Sequence, residues 1–389
     1  MKRVLWLTSW YPGNSEPYSG DFIQRQAQAV SLFQPVNVVH IAKSNSKIYP
    51  ESEIQIDKYS PNLTEYRLYY HTRNNIFSRL NSLYAYLKKG KEIMDHLRRN
   101  NEWPEIVHVQ VAMKAGLLAV YLKWKYKIPY IVTEHWTGYY SQSKNSLFRR
   151  SFFERFLTRL ILKNASCLVP VCEALGNQIN QYWAKVPFVV VPNVVNTNLF
   201  FPSIKSEKST FRFIHISTLL YPKNPEGIIK TFIRLLKKGT NAELVLVGPL
   251  NQSVTALLSS LPPSESANIL VTGELTYEEV GEELRKTDAL VIFSYFENMP
   301  CVVLEALCSG LPVIASHVGG IPEVVLPENG ILIEPGNEKQ LLEALENMIV
   351  NRNFYDKLMI SKKAISEFSY EMIGQKIYSV YDSLKMKKL

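Results

Sequence analysis

Short apolar runs rich in Val, Ile and Leu alternate along this chain with longer stretches whose apolar positions recur every three to four residues. Such alternation predicts parallel strands buried on both faces, with helices covering them. In the first half the strand-like runs are Val4–Leu7, Val36–Ala42, Ile106–Gln110, Tyr130–Thr133, Cys167–Val171 and Phe188–Val191. The second half repeats the theme with Phe211–Ile216, Glu243–Val247, Ile269–Thr272, Ala289–Phe293, Val313–Ala315 and Gly330–Ile333. The predicted fold class is therefore α/β, with two Rossmann-like doubly wound domains. Pro, Asn and the Phe200-Phe201-Pro202 step interrupt both periodicities, so the domain boundary is expected within Pro192–Ile204.

Two helical patterns stand out between the strands. Ile76, Leu80, Leu83/Tyr84, Leu87, Met94 and Leu97 recur at helical spacing, with Gly90 as a candidate break. In Leu147–Lys163, Phe148, Phe152, Phe156 and Leu160 form one row, and Arg155, Arg159 and Lys163 form the next. This second pattern suits an interfacial helix whose cations meet anionic headgroups, and equally a helix packed on its own sheet with a solvated basic flank.

Charge sharpens the choice of partners. The 389 residues carry a net charge of +9, and residues 1–200 hold 25 Lys and Arg against 13 Asp and Glu. A basic first half draws anionic partners: a membrane surface, nucleic acid or an acidic substrate. No helix-turn-helix, zinc or RNP pattern accompanies it, so no nucleic-acid partner is expected. Cys167, Cys172, Cys301 and Cys308 are too sparse for a disulfide framework and fit a reducing compartment. The opening Lys2-Arg3-Val4-Leu5-Trp6-Leu7 is cut short by Thr8-Ser9 and reads as a first strand rather than a signal peptide. The uncharged stretch Val186–Ile204 contains three prolines and cannot be a continuous membrane helix. A cytoplasmic protein, peripheral on the inner face of the membrane, is the expectation.

The usual phosphate-binding loops are missing. There is no G-x-G, no G-x-x-x-x-G-K-[ST] and no D-x-D, so any bound diphosphate must be met by side-chain cations and helix N-termini. Tyr295–Glu323 offers such a setting, Y-F-E-N-M-P-C-V-V-L-E-A-L-C-S-G-L-P-V-I-A-S-H-V-G-G-I-P-E. A strand ends, Glu297 and Asn298 follow in a turn, and Pro300 stands where a first helical turn should begin. Amides near Met299, Cys301 and Val302 would then point above the strand end. Glu297 and Glu305, eight residues apart, could accept hydrogen bonds from the vicinal hydroxyls of a sugar and a ribose.

This block resembles the Glu-x7-Glu signature of retaining nucleotide-sugar glycosyltransferases with the GT-B fold, in particular glycosyltransferase family 4. Other segments agree in order. Pro192–Phe200, P-N-V-V-N-T-N-L-F, is similar to the family's interdomain P-N-G-V-D-x-x-x-F, with Val194 and Asn196 in place of Gly and Asp. Phe213–Asn224, F-I-H-I-S-T-L-L-Y-P-K-N, resembles the segment carrying a Gly-Arg pair and then a Lys directed at the diphosphate. Lys223 matches that Lys, while Ser217 and Thr218 replace Gly and Arg. Tyr11–Phe22 resembles the loop where a Gly lets backbone approach the donor phosphates, which maps to Gly20. E-H-W-T-G-Y after the Tyr130–Thr133 run places His135 at the family's active-site His.

The resemblance implies two domains facing a central cleft: residues 1–199, with 370–389 crossing back, for the acceptor, and 200–369 for the nucleotide-sugar donor. It implies transfer of a sugar, with anomeric configuration kept, to a hydroxyl of a glycan or lipid-linked glycan. His135, Lys223 and Glu297 would be catalytic; Gly20, Leu275, Asn298, Met299, Pro300, Cys301, Val302 and Glu305 would bind substrate. The nucleoside diphosphate sugar is a co-substrate; no cofactor and no metal are expected. Loss of the Gly-Arg pair leaves a second reading, a catalytically impaired nucleotide-sugar-binding protein of the same fold.

Overall fold

In a computed structural model, residues 3–13, 18–44, 53–71, 78–203 and 210–386 are described. The chain divides into two compact units, Met1–Val194 with Tyr370–Leu389, and Val195–Ser369.

Unit 1 is built on seven strands: β1 Val4–Thr8, β2 Val36–Lys43, β3 Ile54–Ser60, β4 Leu63–Tyr70, β5 Ile106–Gln110, β6 Tyr130–Glu134 and β7 Cys167–Pro170. Their order is β3-β4-β2-β1-β5-β6-β7, parallel except for β3 against β4. Every residue of β1, β5, β6 and β7 is buried, as strands covered on both faces require. The helices are α1 Asp21–Ser31, α2 Ser78–Arg99, α3 Ala115–Tyr126, α4 Phe152–Asn164 and α5 Glu173–Tyr182.

Unit 2 holds β8 Phe211–Ile216, β9 Ala242–Val247, β10 Ile269–Gly273, β11 Ala289–Ile292, β12 Val313–Ser316 and β13 Gly330–Ile333. They form one all-parallel sheet ordered β10-β9-β8-β11-β12-β13. Its helices are α6 Pro225–Lys237, α7 Gln252–Ser259, α8 Pro263–Ser266, α9 Tyr277–Arg285, α10 Cys301–Cys308, α11 Glu338–Val350 and α12 Lys357–Phe368.

The last helix, α13 Tyr370–Met386, packs on α1 in unit 1. Its Tyr381 is fully buried: the hydroxyl accepts a hydrogen bond from Trp6 Nε1–H (3.0 Å) and lies 2.6 Å from His108 Nδ1. A polar hub in the centre of the first core thus ties α13 to β1 and β5.

Four sequence expectations are corrected. Phe188–Val191 is not a strand but a single bridge to Leu168, because Pro170, Pro187 and Pro192 lack the N–H groups a full ladder needs. The hairpin β3–β4 appears where no strand is expected; β3 is a largely exposed edge, so its sequence lacks the continuous apolar run of a buried strand. Gly90 does not break α2: it sits against Leu118 of α3, whose Cδ2 would lie 2.5 Å from an added Cβ.

Finally, the row through Phe148 is divided. Phe148 lies in a separate 3-10 turn and packs on Trp183 at 4.7 Å, while a Ser151–Glu154 capping box starts α4 at Phe152. The face of α4 that is buried carries Thr158, Ile161 and Leu162, leaving Phe152 and Phe156 74% and 50% exposed. Ile76, Lys2, Ile204 and residues 14–17 of the Tyr11–Phe22 loop lie outside the described residues, as does the side chain of Leu80.

Candidate active site

In an open parallel sheet, the loops leaving two adjacent strands diverge where the strand order reverses, and a crevice opens at the carboxyl ends. In unit 2 that point lies between β8 and β11. The loop after β8 carries Lys223 and the turn after β11 carries Glu297. Lys223 Nζ donates to Glu297 Oε1, and Ser294 Oγ donates to the same oxygen at 2.7 Å. Glu297 is only 6% exposed, whereas the Lys223 side chain keeps 25% of its surface open. The pair is therefore a cation at the mouth of the crevice braced by a carboxylate beneath it.

Backbone contacts join the two loops. Tyr295 N–H donates to Pro222 O at 2.9 Å, and the rings of Tyr221 and Tyr295 stack at 5.8 Å. Behind the Glu297 turn, Gly320 N–H donates to Asn298 O at 2.7 Å, and Gly319 has a φ of 57°. A Cβ on Gly319 would fall 2.1 Å from Glu297 O, so this close approach requires glycine.

The β8–α6 loop is fixed from within. His215 is fully buried; its Nδ1–H donates to Val291 O at 2.8 Å and its Nε2 accepts from Ser217 Oγ at 2.8 Å. Ser217 Oγ in turn accepts Leu219 N–H at 2.9 Å. Burial lowers the His215 pKa to about 4, with the charge of Lys223 acting in the same direction, so the imidazole is neutral, one nitrogen a donor and the other an acceptor. Asn224 ends the loop in a left-handed conformation (φ 52°) and its Oδ1 caps Gly227 N–H of α6 at 3.2 Å. Ser217 is thus a tie for the loop that presents Lys223, and Thr218 is exposed beside it.

Pro300 is the N-cap of α10 (φ −66°, ψ 127°) rather than part of its first turn, and no side chain caps that end. The first-turn amides of Cys301 and Val302 consequently present partial positive charge toward the β11 end of the sheet. Asn298 and Met299 are buried in the turn, and Glu305 is buried farther along α10. Leu275, half-buried, follows the outer strand β10 at the same carboxyl end of the sheet. Lys223, Leu275, Glu297–Val302 and Glu305 therefore share the carboxyl-end side of one sheet.

His135 and Gly20 belong to unit 1. His135 follows β6; its Nε2 lies 3.3 Å from Gln110 Oε1 at the end of β5, and its ring is 4.7 Å from that of Phe22. Burial pushes its pKa down to about 3, which makes it neutral. Gly20 has φ 72° and precedes α1, and an added Cβ would stand 2.7 Å from the carbonyl carbon of Trp10. The chain's own backbone thus suffices to demand glycine there.

Three polar residues escaped the sequence reading. Ser294 and His215 brace the Lys223–Glu297 pair. Glu134, completely buried, accepts Ala112 N–H at 2.8 Å and Tyr139 Oη–H at 2.7 Å, locking the loop that bears His135 to the end of β5. Burial raises its pKa to about 7. Its only sequence signal is a carboxylate closing an apolar strand. Among the described residues, no three His, Cys, Asp or Glu side chains gather as a metal site would need, and no helix is long and apolar enough to cross a membrane.

Comparison with known proteins agrees with this architecture. Residues 196–365 match the family described as Glycosyl transferases group 1, and residues 39–199 match Glycosyltransferase Family 4. The chain is a GT-B glycosyltransferase of the family 4 type. It is 22% identical over 394 residues to Bacillus subtilis TuaC, whose name assigns it to teichuronic acid biosynthesis, covering 95% of this chain and 93% of TuaC. It is likewise 22% identical over 294 residues to the alpha-monoglucosyldiacylglycerol synthase of Streptococcus pneumoniae, covering 71% of this chain and 66% of the synthase. The structure of Anabaena HepE in complex with UDP superposes with a TM-score of 0.72 at 16% identity, covering 98% of this chain and 100% of HepE. This glycosyltransferase therefore shares its two-sheet frame with a nucleotide-binding neighbour whose sequence has drifted far.

Proposed function

We propose that this glycosyltransferase moves a sugar from a nucleoside diphosphate sugar to a hydroxyl of a glycan or lipid-linked glycan, keeping the anomeric configuration, in cell-surface polysaccharide or glycolipid synthesis. The single observation that carries the reading is the Lys223–Ser294–Glu297 constellation at the β8/β11 switch point. A lysine ammonium at the crevice mouth meets the diphosphate and stabilises the charge that develops on it as the glycosidic bond breaks. The amides of Cys301 and Val302 add positive potential from the N-terminus of α10. Glu297 accepts hydrogen bonds from the sugar hydroxyls, Glu305 from the ribose, and the backbone at Leu275 lies near the base. His135, neutral, donates to or accepts from the sugar or acceptor without adding charge.

The family resemblance supports retention and a leaving phosphate that helps deprotonate the acceptor; no enzyme nucleophile or metal is invoked. The family resemblance supports donor binding by unit 2 and acceptor binding by unit 1, and the names of TuaC and the glucosyldiacylglycerol synthase fit a glycan or lipid acceptor. The basic first half supports peripheral contact with an anionic membrane on its cytoplasmic face. The test is a panel of UDP-, GDP- and ADP-sugars scored for binding and slow hydrolysis, with anomeric analysis of any product. Binding with retained configuration is expected. An inverted product overturns the mechanism, and binding without turnover, even with an acceptor extract, establishes the impaired-binder reading that Ser217 and Thr218 favour.

A further inference from the structure

Helices that cover a sheet normally turn their remaining faces, polar, to water. On one side of unit 1 three of them do not. Leu83, Leu87 and Met94 of α2, Leu117 and Trp124 of α3, and Leu157 of α4 wall a groove of about 560 Å³. Gly90 and Leu118 meet within the groove wall, and α3 packs closely on α4 where Gly116 meets Ile161. Trp124 and Phe153, which line the groove, are more than half exposed, and the same helices expose Tyr84, Phe152 and Phe156 by half or more. Contiguous exposed apolar surface of this kind marks an interaction site.

The charge around the groove selects the occupant. The sequences of α2, α3 and α4 contain eleven Lys and Arg against three Asp and Glu. Lys88 and Lys91 are exposed on α2, Lys125 on α3, and Arg159 and Lys163 on α4. Two of the three acids are engaged locally, Glu92 with Lys89 at 2.7 Å and Glu154 in the Ser151 cap. A second copy of this chain would set one cationic face against another. An anionic bilayer supplies both complements, phosphate headgroups for the rim and hydrocarbon for the groove.

We propose that the groove among α2, α3 and α4 receives an acyl chain of an anionic phospholipid, seating this face of unit 1 on the bilayer. The inference rests on the membrane-contact reading and adds to it a place and a depth. It also explains why the Phe152–Phe156 stripe is turned away from the body of unit 1.

The full chain is mixed with vesicles of phosphatidylcholine alone, or of three parts phosphatidylcholine to one part phosphatidylglycerol, with and without bromine on the acyl chains. Retention on the anionic vesicles only, falling with salt, is expected, and replacing both Lys88 and Lys91 by Gln weakens it on the order of 30-fold. Acyl bromine quenches fluorescence that disappears in Trp124→Phe, and Leu87→Asn with Leu157→Asn abolishes that quenching while circular dichroism and the melting temperature show a folded protein. Retention without Trp124 quenching overturns the groove proposal and leaves the membrane contact standing. No retention on either vesicle overturns both. A dimer at low salt whose formation shields Trp124 assigns the groove to a second copy and also overturns the proposal.

Discussion

At the scale of single residues, Lys223 and Glu297 illustrate how unequal the two partners of one ion pair can be. The carboxylate is nearly enclosed, while the ammonium reaches open space. Removing the lysine leaves a buried anion held by Ser294 among side chains, whereas an amide in place of the carboxylate keeps an oxygen for the same donors. Lys223→Met is therefore expected to cost about 1–3 kcal/mol of stability, together with a kcat loss on the order of 10²–10³. Glu297→Gln is expected to lose comparable turnover while melting close to the parent. Thermal melts and donor turnover on the two variants check this asymmetry. The motif made both residues legible in the sequence. Their direct contact was not, because 74 positions separate them and only sheet order brings them together. Ser294 and His215 stayed hidden for the same reason: a serine at a strand end and a histidine within a strand carry no signal until their partners are known.

At the scale of elements, the loop between β8 and α6 works as a pre-formed bracket. Asn224 closes it with a left-handed backbone and a side-chain cap on Gly227. The two demands can be separated. Asn224→Gly keeps the conformation and loses only the cap, so it should cost a few tenths of a kcal/mol; Asn224→Ala loses the cap and strains φ, costing about 1–2 kcal/mol. If the bracket sets the position of Lys223, the alanine variant also shows a reduced kcat, read against the glycine variant at equal folded fraction. Strands of both sheets were legible where burial on both faces leaves an unbroken apolar run, as in β1, β5, β6 and β7. The hairpin β3–β4 and the loss of a strand at Phe188–Val191 were not, since β3 is an exposed edge, the apolar positions of the mostly buried β4 are interrupted by Thr64, Glu65 and Arg67, and hydrogen-bond supply near prolines depends on register.

At the scale of the whole molecule, buried imidazoles couple stability to acidity. Burial holds the pKa of His40 and His215 at about 4 and of His108 and His135 at about 3. These groups stay neutral when folded and take up protons on unfolding below the ordinary histidine value of about 6.5, so stability is lost as pH falls through that value. Glu134 acts oppositely: raised to about 7, it holds its proton in the folded state, and its contribution grows as pH drops from 7 toward the ordinary carboxyl range. Three of these four buried histidines lie in unit 1, outnumbering Glu134, while unit 2 holds a single such imidazole. Acidification from pH 6.5 to 5 should therefore weaken unit 1 more than unit 2. Hydrogen exchange resolved by segment checks the order, and equal loss in both units contradicts it.

The chain's periodicity by itself determined the α/β class, the number of sheets and most buried strands, because burial on two faces leaves a continuous apolar imprint. Motif spacing likewise singled out Glu297 and Glu305, and the family resemblance singled out Lys223. Tertiary structure alone decided that β8 and β11 are neighbours, that Ser294 braces Glu297 while His215 ties the loop bearing Lys223, that Glu134 fixes the His135 loop, and that the Phe152–Phe156 stripe faces outward. Each of these depends on which distant residues share a face or an end, and side-chain periodicity records how deeply a position is buried but not against what.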